Sequence, residues 1–312
     1  MSCRIKNPFI HDSPIEFQGT IPVDRLINEY RSRFKIDISD LLSSTDSIKL
    51  YKCTKSGYEF YTPFSIVGNS GFYEKLQKLG WYYLPWKWEH QVCYDMVDAG
   101  FRILEIGCGK GDFLRKVSRQ HKDVECIGLE LNQTTATSGD GLKIINSRIE
   151  DYSVDNQAAF DIVCAFQVLE HIPDVNTFLE ASIHCLKNNG LLVLSVPNNE
   201  SFIQYDSFNI LNMPPHHMGR WKEGSLRMIA DCFNLELLKI EHETLQEYHY
   251  EWYLNIMLTK KFGERVAGYI SKATRLLGLR KFQLQRIQKR ANEIRGHTTI
   301  AVFRKAADLT ID

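Results

Sequence analysis

Three glycines at alternate positions connect an apolar segment to a helix-like one, and this turn constrains the fold more than any other feature. The apolar segment ends Ile103-Leu104-Glu105-Ile106, the glycines are Gly107, Gly109 and Gly111, and the helix-like segment spans Asp112 to Gln120. Glycine has no Cβ, so it adopts positive φ and lets a ligand approach the backbone closely. The pattern predicts a strand, a tight turn and a helix, with a nucleotide-like ligand above the strand end.

After residue 100, strand-like and helix-like segments alternate. We predict strands at 101–106, 124–130, 142–147, 160–166, 190–196, 234–242 and 297–304, and helices between several of them, most clearly 173–187 and 223–233. Such alternation is typical of a parallel sheet covered by helices on both faces. We therefore expect an α/β fold with a seven-stranded, mostly parallel sheet.

Four regions follow from this pattern. We expect residues 1–84 to form an N-terminal accessory segment with a small β element, and 85–244 to form the α/β core. We expect residues 245–296 to form a basic, mostly helical insertion, and 297–312 to supply the last strand and a tail.

Charge and cysteine content exclude several classes of protein. The 38 Lys and Arg residues balance 38 Asp and Glu residues, so no global charge favours nucleic acid. The sequence has no apolar leader segment and no run of 18 apolar residues, which predicts a cytoplasmic protein. The eight cysteines form no C-x-x-C pair, and Ser56 stands where a zinc ribbon would need the partner of Cys53. We expect neither disulfides nor a bound metal.

The glycine turn favours a cationic ligand over a dinucleotide. The dinucleotide fingerprint is G-x-G-x-x-G, but Asp112 occupies the position of the third glycine. A pyrophosphate would also lie close to Glu105 and Asp112, whereas the ammonium and sulfonium of S-adenosyl-L-methionine suit an acidic turn. Glu130 ends the second predicted strand, where a carboxylate can accept both ribose hydroxyls. Its alternative role is that of a surface glutamate before a helix.

These features, with three more, resemble class I S-adenosylmethionine-dependent methyltransferases. The further features are Phe160-Asp161-Ile162-Val163, Val168-Leu169-Glu170-His171 and a strand that ends Pro197-Asn198. The resemblance is strongest to small-molecule O-methyltransferases of the ubiquinone-biosynthesis type and to relatives in glycan or lipid biosynthesis. It covers about residues 85–240 and the last strand.

The resemblance implies S-adenosyl-L-methionine as cofactor and a role for each matching residue. The glycine turn would contact the methionyl end, Glu130 the ribose, Ile149 and Glu150 the adenine, while Phe166 and Gln167 would line the methyl-transfer channel. The implied cofactor-binding residues are Glu105, Gly107, Cys108, Gly109, Gly111, Glu130, Leu131, Ile149, Glu150, Phe166 and Gln167.

A hydroxyl acceptor needs a base, and His216 and His217 are the candidates. They lie in Pro214-Pro215-His216-His217, after the fifth core strand. We favour His217, and packed histidines are the alternative. The expected reaction is methyl transfer to a hydroxyl of a small molecule or of a glycan or lipid-linked sugar. An N- or C-methyltransferase, a nicotinamide-dependent reductase and a cofactor-binding scaffold without turnover remain alternatives.

Residues 260–295 are strongly basic, with apolar residues between the charges. Eleven Lys and Arg residues face two Glu residues in this range. This composition suits peripheral contact with an anionic membrane or a lipid-linked substrate. The alternative is a solvated helical pair whose apolar side chains pack on the core.

Overall fold

The computed structural model describes residues 5–80, 82–131, 138–139, 141–206 and 208–307. Its strands are β1 Ile15–Pro22, β2 Ser47–Cys53, β3 Glu59–Thr62, β4 Arg102–Ile106, β5 Glu125–Leu129, β6 Ser138–Gly139, β7 Leu142–Ile145, β8 Phe160–Phe166, β9 Leu186–Pro197, β10 Gly219–Arg220, β11 Leu235–Thr244 and β12 Arg295–Lys305. Its helices are α1 Val23–Phe34, α2 Ser39–Leu42, α3 Ser70–Gln77, α4 Trp88–Tyr94, α5 Asp112–Gln120, α6 Ile149–Tyr152, α7 Val175–His184, α8 Glu223–Phe233, α9 Tyr250–Phe262, α10 Glu264–Leu276 and α11 Arg280–Gln288.

The main sheet has the strand order β11-β12-β9-β8-β4-β5-β7-β6. Strands β9, β8, β4, β5 and β7 pair in parallel, and β12, β11 and the two-residue β6 pair antiparallel. All seven predicted strands lie in this sheet, which confirms the predicted α/β fold. The short edge strand β6 was not predicted.

The side chains of the central strands alternate between the two faces of the sheet and are buried on both. Leu104 and Val163 pack with α7 and α8, whereas Ile103 and Ile162 pack with α4 and α5. Side chains at successive strand positions point to opposite faces, so strands covered on both sides need near-continuous apolar sequences. This requirement explains why the sequence pattern located β4 and β8 within one residue.

The three glycines of the turn all have positive φ, at 70°, 54° and 73°. A Cβ on Gly111 would lie 2.8 Å from Cδ1 of Ile144, and one on Gly107 would lie 2.6 Å from Cγ2 of Val168. Both the backbone conformation and the close packing therefore require glycine. The turn brings the N-terminus of α5 directly over the end of β4.

A second, smaller sheet has the order β1-β2-β3-β10. Its first three strands come from the accessory segment, and β10 comes from the loop after β9. Trp221, next to β10, is buried against Phe9 and Tyr58, with ring centroids 5.3 and 4.4 Å apart. The accessory segment is thus joined to the loop that carries His216 and His217.

The insertion forms three helices, α9, α10 and α11, between β11 and β12. Arg280 is buried and donates from Nε to Oε1 of Glu251 at 3.0 Å, which ties α11 to α9. Within the described ranges, no helix has both the length and the apolar character needed to cross a bilayer.

Candidate active site

A cavity of about 1120 Å³ lies at the carboxyl ends of the parallel strands. The ends of β4, β5, β8 and β9 contribute one wall, through residues that include Gly107, Glu130, Gln167 and Pro197. The accessory segment and the start of α9 contribute other parts of the lining. Ligands of open α/β sheets bind at this edge.

Glu105 carries a buried carboxyl group below the glycine turn. It is 5% exposed, and its Oε2 has no hydrogen-bond partner among the described residues. Burial, and then the nearby charges of Glu130 and Asp112, raise the pKa of this carboxyl well above its ordinary value. Burial of a carboxylate without a partner costs free energy. This position therefore favours a ligand that carries a positive charge.

Glu130 closes the turn from the neighbouring strand. Its Oε2 accepts a hydrogen bond from the backbone N–H of Gly109 at 2.8 Å, and Asn146 Nδ2 donates to its carbonyl oxygen at 2.9 Å. Glu130 and the exposed Leu131 both line the cavity. The carboxylate is therefore held at the cavity wall by the glycine turn itself.

Ile149 and Glu150 line the cavity at the start of α6. Ile149 is buried, while the carboxylate of Glu150 pairs with Arg148 at 3.2 Å. Ile149 therefore offers an apolar surface to the cavity, next to the carboxylate of Glu150, which is already paired with the guanidinium of Arg148.

Phe166 ends β8, Gln167 follows it, and both line the cavity. The Phe166 ring packs on His90 and Phe113, with centroids 4.9 and 5.1 Å away. Gln167 has φ 55°, and its Nε2 lies 3.5 Å from both Glu89 Oε1 and Thr298 Oγ1. A left-handed non-glycine residue costs roughly 1–2 kcal/mol, a strain that clusters at functional sites.

Three of the residues implied for the cofactor lie behind the cavity wall. Glu105, Cys108 and Gly111 are not among the lining residues, whereas the other eight are. The buried Cys108 thiol packs against Gly128, and burial raises the pKa of this thiol. Cys108 and Gly111 thus shape the turn through packing.

The two predicted histidines line the cavity but differ in what they offer. His216 donates from Nδ1 to the carbonyl of Leu211 and accepts at Nε2 from the hydroxyl of Tyr82, both at 2.7 Å. His217 donates from Nδ1 to Oδ1 of Asn212 at 3.1 Å, and its Nε2 lies 3.9 Å from Oε1 of Glu170. Burial lowers the pKa of both imidazoles well below the ordinary value. Both shifts favour the neutral rings, and Tyr82 already engages the Nε2 lone pair of His216 but not that of His217.

His171, His216 and His217 place ring nitrogens within 4.8 Å of one another, a spacing that suits a metal. However, both nitrogens of His216 are already bonded, and its ring stacks on His217 with centroids 4.3 Å apart and planes at 20°. Stacked rings cannot both direct in-plane lone pairs at one ion. The trio is better described as a hydrogen-bonded network of neutral rings.

Two buried glutamates on the cavity wall were not predicted from the sequence. Glu170 is 1% exposed with both carboxylate oxygens unpartnered in the described structure, and burial raises its pKa to about 8. Glu89 is fully buried, and its Oε1 lies 3.6 Å from Nζ of Lys87. Glu170 follows the apolar pair Val168-Leu169, which is a weak local signal, whereas Glu89 stands among mostly polar residues and has none.

The insertion and the start of β12 together contribute an aromatic face to the same cavity. The rings of His249, Trp252 and His297 form a triangle with centroids 5.2 to 5.4 Å apart. Nδ1 of His249 has no described partner, and burial lowers the pKa of this imidazole to about 4. No local sequence signal predicts that these rings face a cavity.

Comparison with known proteins agrees with this geometry. Residues 75–240, just over half of the chain, match the family model described as a methyltransferase domain. The chain is 33% identical over 130 residues to a ubiquinone biosynthesis O-methyltransferase of Bradyrhizobium diazoefficiens, which covers 39% of this chain and 49% of that protein. A relative with the same description from Psychrobacter arcticus is 30% identical over 118 residues, or 35% and 46% of the two chains. The chain thus spans about half the length of the curated relatives it matches.

A solved structure of a SAM-dependent methyltransferase from Archaeoglobus fulgidus is also similar. The two chains are 19% identical. The match covers 70% of this chain and 90% of that one, with a TM-score of 0.45.

The family match confirms the predicted class, with S-adenosyl-L-methionine as the cofactor, and argues against the nicotinamide-dependent alternative. This chain belongs to the methyltransferase domain family.

Proposed function

We propose that this protein transfers the methyl group of S-adenosyl-L-methionine to a hydroxyl group of a small molecule. The main support for the cofactor is the buried Glu105 below the glycine turn. Its Oε2 has no hydrogen-bond partner among the described residues. The donor set fits a cofactor with a cationic amino-acid end and a ribose. When bound, the cofactor supplies an electrophilic methyl group on a sulfonium.

We assign the cofactor-holding roles to the residues around the turn. Glu105 offsets positive charge from below, and Gly107 and Gly109 give the backbone access that a side chain would block. Glu130 offers carboxylate oxygens to the ribose at the cavity wall. Ile149 offers an apolar surface to the base, with Glu150 beside it.

His217 is our candidate for the general base. Asn212 holds the proton on Nδ1, so the lone pair is on Nε2, which lies 3.9 Å from Oε1 of Glu170, and both residues line the cavity. A neutral imidazole in this tautomer can take a proton from a hydroxyl acceptor. The hydrogen bonds of His216 suit a positioning role beside it.

Glu89 and Glu170 support a second candidate, methyl transfer to nitrogen. Both are buried, line the cavity and carry at least one oxygen without a described partner. Such carboxyl groups would bind an ammonium and take the proton that it must lose before its nitrogen can attack the methyl group.

Transfer of a labelled methyl group from S-adenosylmethionine to panels of phenols, sugars and amines separates these functions. We expect label on a hydroxyl compound, and we expect His217→Gln to lower kcat by about 10²–10⁴-fold, the range for general-base catalysis. His216→Gln, measured in parallel, controls for loss of packing.

Labelled amines together with an unaffected H217Q variant would favour the nitrogen acceptor. The absence of S-adenosylhomocysteine binding in calorimetry would refute both candidates. A more specific proposal is that the acceptor is a glycan or a lipid-linked sugar, and the sugar panel tests it.

A further inference from the structure

The insertion carries most of the large apolar side chains that are exposed in the described structure. Seven of the thirteen large apolar side chains that are exposed lie between residues 262 and 282. Their exposed fractions run from 42% to 79%. These side chains are Phe262, Val266, Tyr269, Leu276, Leu277, Leu279 and Phe282.

Helix α10 has two apolar faces. Ala267, Ile270 and Thr274 are buried or half-buried on the face toward α9. Val266, Tyr269, Ala273 and Leu276, spaced by three and four residues, are all exposed and form a second stripe. A helix that only packed on the core would need one stripe, so the second is available to a partner.

Many cations lie close to the second stripe in the sequence. Residues 260–295 hold eleven Lys and Arg residues against two Glu residues, in a chain with no net charge. Arg275 and Arg280 pair with Glu251, and Arg290 pairs with Glu293. Most of the others, among them Arg265, Lys272 and Lys281, form no ion pair in the described structure. Like charges on both sides would oppose self-association through this face.

We propose that α10 and α11 dock on an anionic lipid surface. The apolar stripe would lie at the boundary between headgroups and acyl chains, and the flanking cations would contact lipid phosphates. The geometry connects this face to the cavity, because Arg280 bonds to Glu251 and Asn255 of α9. Tyr248, His249 and Trp252, at the start of the insertion, line the cavity. A docked protein would thus have its cavity close to the lipid surface.

Co-sedimentation with vesicles tests this proposal without any need for an acceptor, so its result is independent of the proposed methyl transfer. We expect the full chain to bind vesicles of phosphatidylcholine mixed with phosphatidylglycerol, and to bind pure phosphatidylcholine far more weakly. High salt should release it, because screening weakens the contribution of each cation. The variant L276S/L277S/L279S and the variant K272E/K281E should each lower apparent affinity by about tenfold or more.

The variant F17S/V154S removes exposed apolar side chains outside the insertion and should bind like the parent. Calorimetry with S-adenosylhomocysteine verifies that every variant is folded. Equal binding of the parent and both insertion variants would overturn the proposal, as would no binding to anionic vesicles. A dimer in light scattering that the leucine variant converts to a monomer, without vesicle binding, would identify a second copy as the occupant and overturn it too.

Discussion

The backbone N–H of Gly109 donates to the carboxylate of Glu130 at 2.8 Å, so the glycine turn and the end of β5 form one hydrogen-bonded unit. This contact crosses between two adjacent parallel strands, β4 and β5. The same carboxylate therefore has two tasks, to hold the turn and to face the cavity.

Substitution of Glu130 should weaken cofactor binding. Hydrogen bonds to charged groups contribute roughly 1.5–3 kcal/mol, which corresponds to about 10- to 100-fold in affinity. We expect Glu130→Ala to weaken S-adenosylhomocysteine binding by about this factor in calorimetry, and Glu130→Gln to weaken it less, since an amide oxygen can still accept from Gly109. Glu125→Gln, at the other end of the same strand, is the matched control. Unchanged binding in E130A would show that Glu130 does not contact the ligand.

Glu105→Gln should stabilise the ligand-free protein and weaken cofactor binding. The folded-state pKa of Glu105 is raised, chiefly by burial, so its contribution to stability is full below the ordinary glutamate pKa and is lost as pH rises. The variant should therefore show a higher Tm than the parent at pH 8 and little difference at pH 4.5. Each 1 kcal/mol corresponds to roughly 2–4 °C in a domain of this size.

Glu125→Gln is the control for this prediction, because the pKa of Glu125 is shifted in the opposite direction. Arg102 lowers the pKa of Glu125, so neutralising this exposed carboxylate should give no gain in Tm at any pH. If E105Q and E125Q respond alike, the buried carboxyl of Glu105 is not the source of the effect. A gain in Tm for E105Q without loss of S-adenosylhomocysteine affinity would separate the burial of Glu105 from any role in binding.

The cofactor side of the cavity could be predicted because its signals are local. The turn after β4 and the ends of β5 and β8 each show a strand pattern followed at once by the contacting residue. Parallel strands then bring those ends to one edge. Eight of the eleven residues implied for the cofactor line the cavity for this reason.

Apart from His216 and His217, the acceptor side could not be predicted, since it joins segments that are distant in sequence. Glu89 in α4 and His249 before α9 reach one cavity only through tertiary packing. Strand β1 was also missed, because most of its side chains are exposed or half-buried and leave a weak alternating pattern.

Gln167→Gly should separate backbone strain from side-chain function. Relief of the left-handed conformation at φ 55° should raise Tm or leave it unchanged. Loss of the amide near Glu89 and Thr298 should lower kcat, which labelled methyl transfer would measure. Asn234→Gly, at φ 51° after α8, has the same backbone geometry outside the cavity and should leave kcat unchanged. A lower Tm for Q167G would mean that the amide contacts stabilise the fold more than the conformation costs.

Glu170→Gln should remove part of the pH dependence of stability. Burial raises the pKa of Glu170 to about 8, so the folded protein binds this proton over a range in which the unfolded chain releases it. Its contribution to stability is full below about pH 4.5, the ordinary glutamate value, and is lost as pH rises toward 8. We expect E170Q and the parent to have similar Tm at pH 5, and E170Q to be more stable by several degrees at pH 8.

Glu180→Gln on α7 is the control, because its carboxylate is exposed and accepts only from Asn176 in the described structure. Its Tm should follow that of the parent across the same pH range. A constant difference between E170Q and the parent would mean that Glu170 is ionised throughout, with its charge balanced in the cavity. In that case Lys87, whose charge lowers the pKa of Glu170, and His217, whose Nε2 lies 3.9 Å away, would be the cations that balance it, and a neutral His217 could no longer be assumed as the base. The pH dependence of E170Q therefore tests the protonation state on which the assignment of His217 depends.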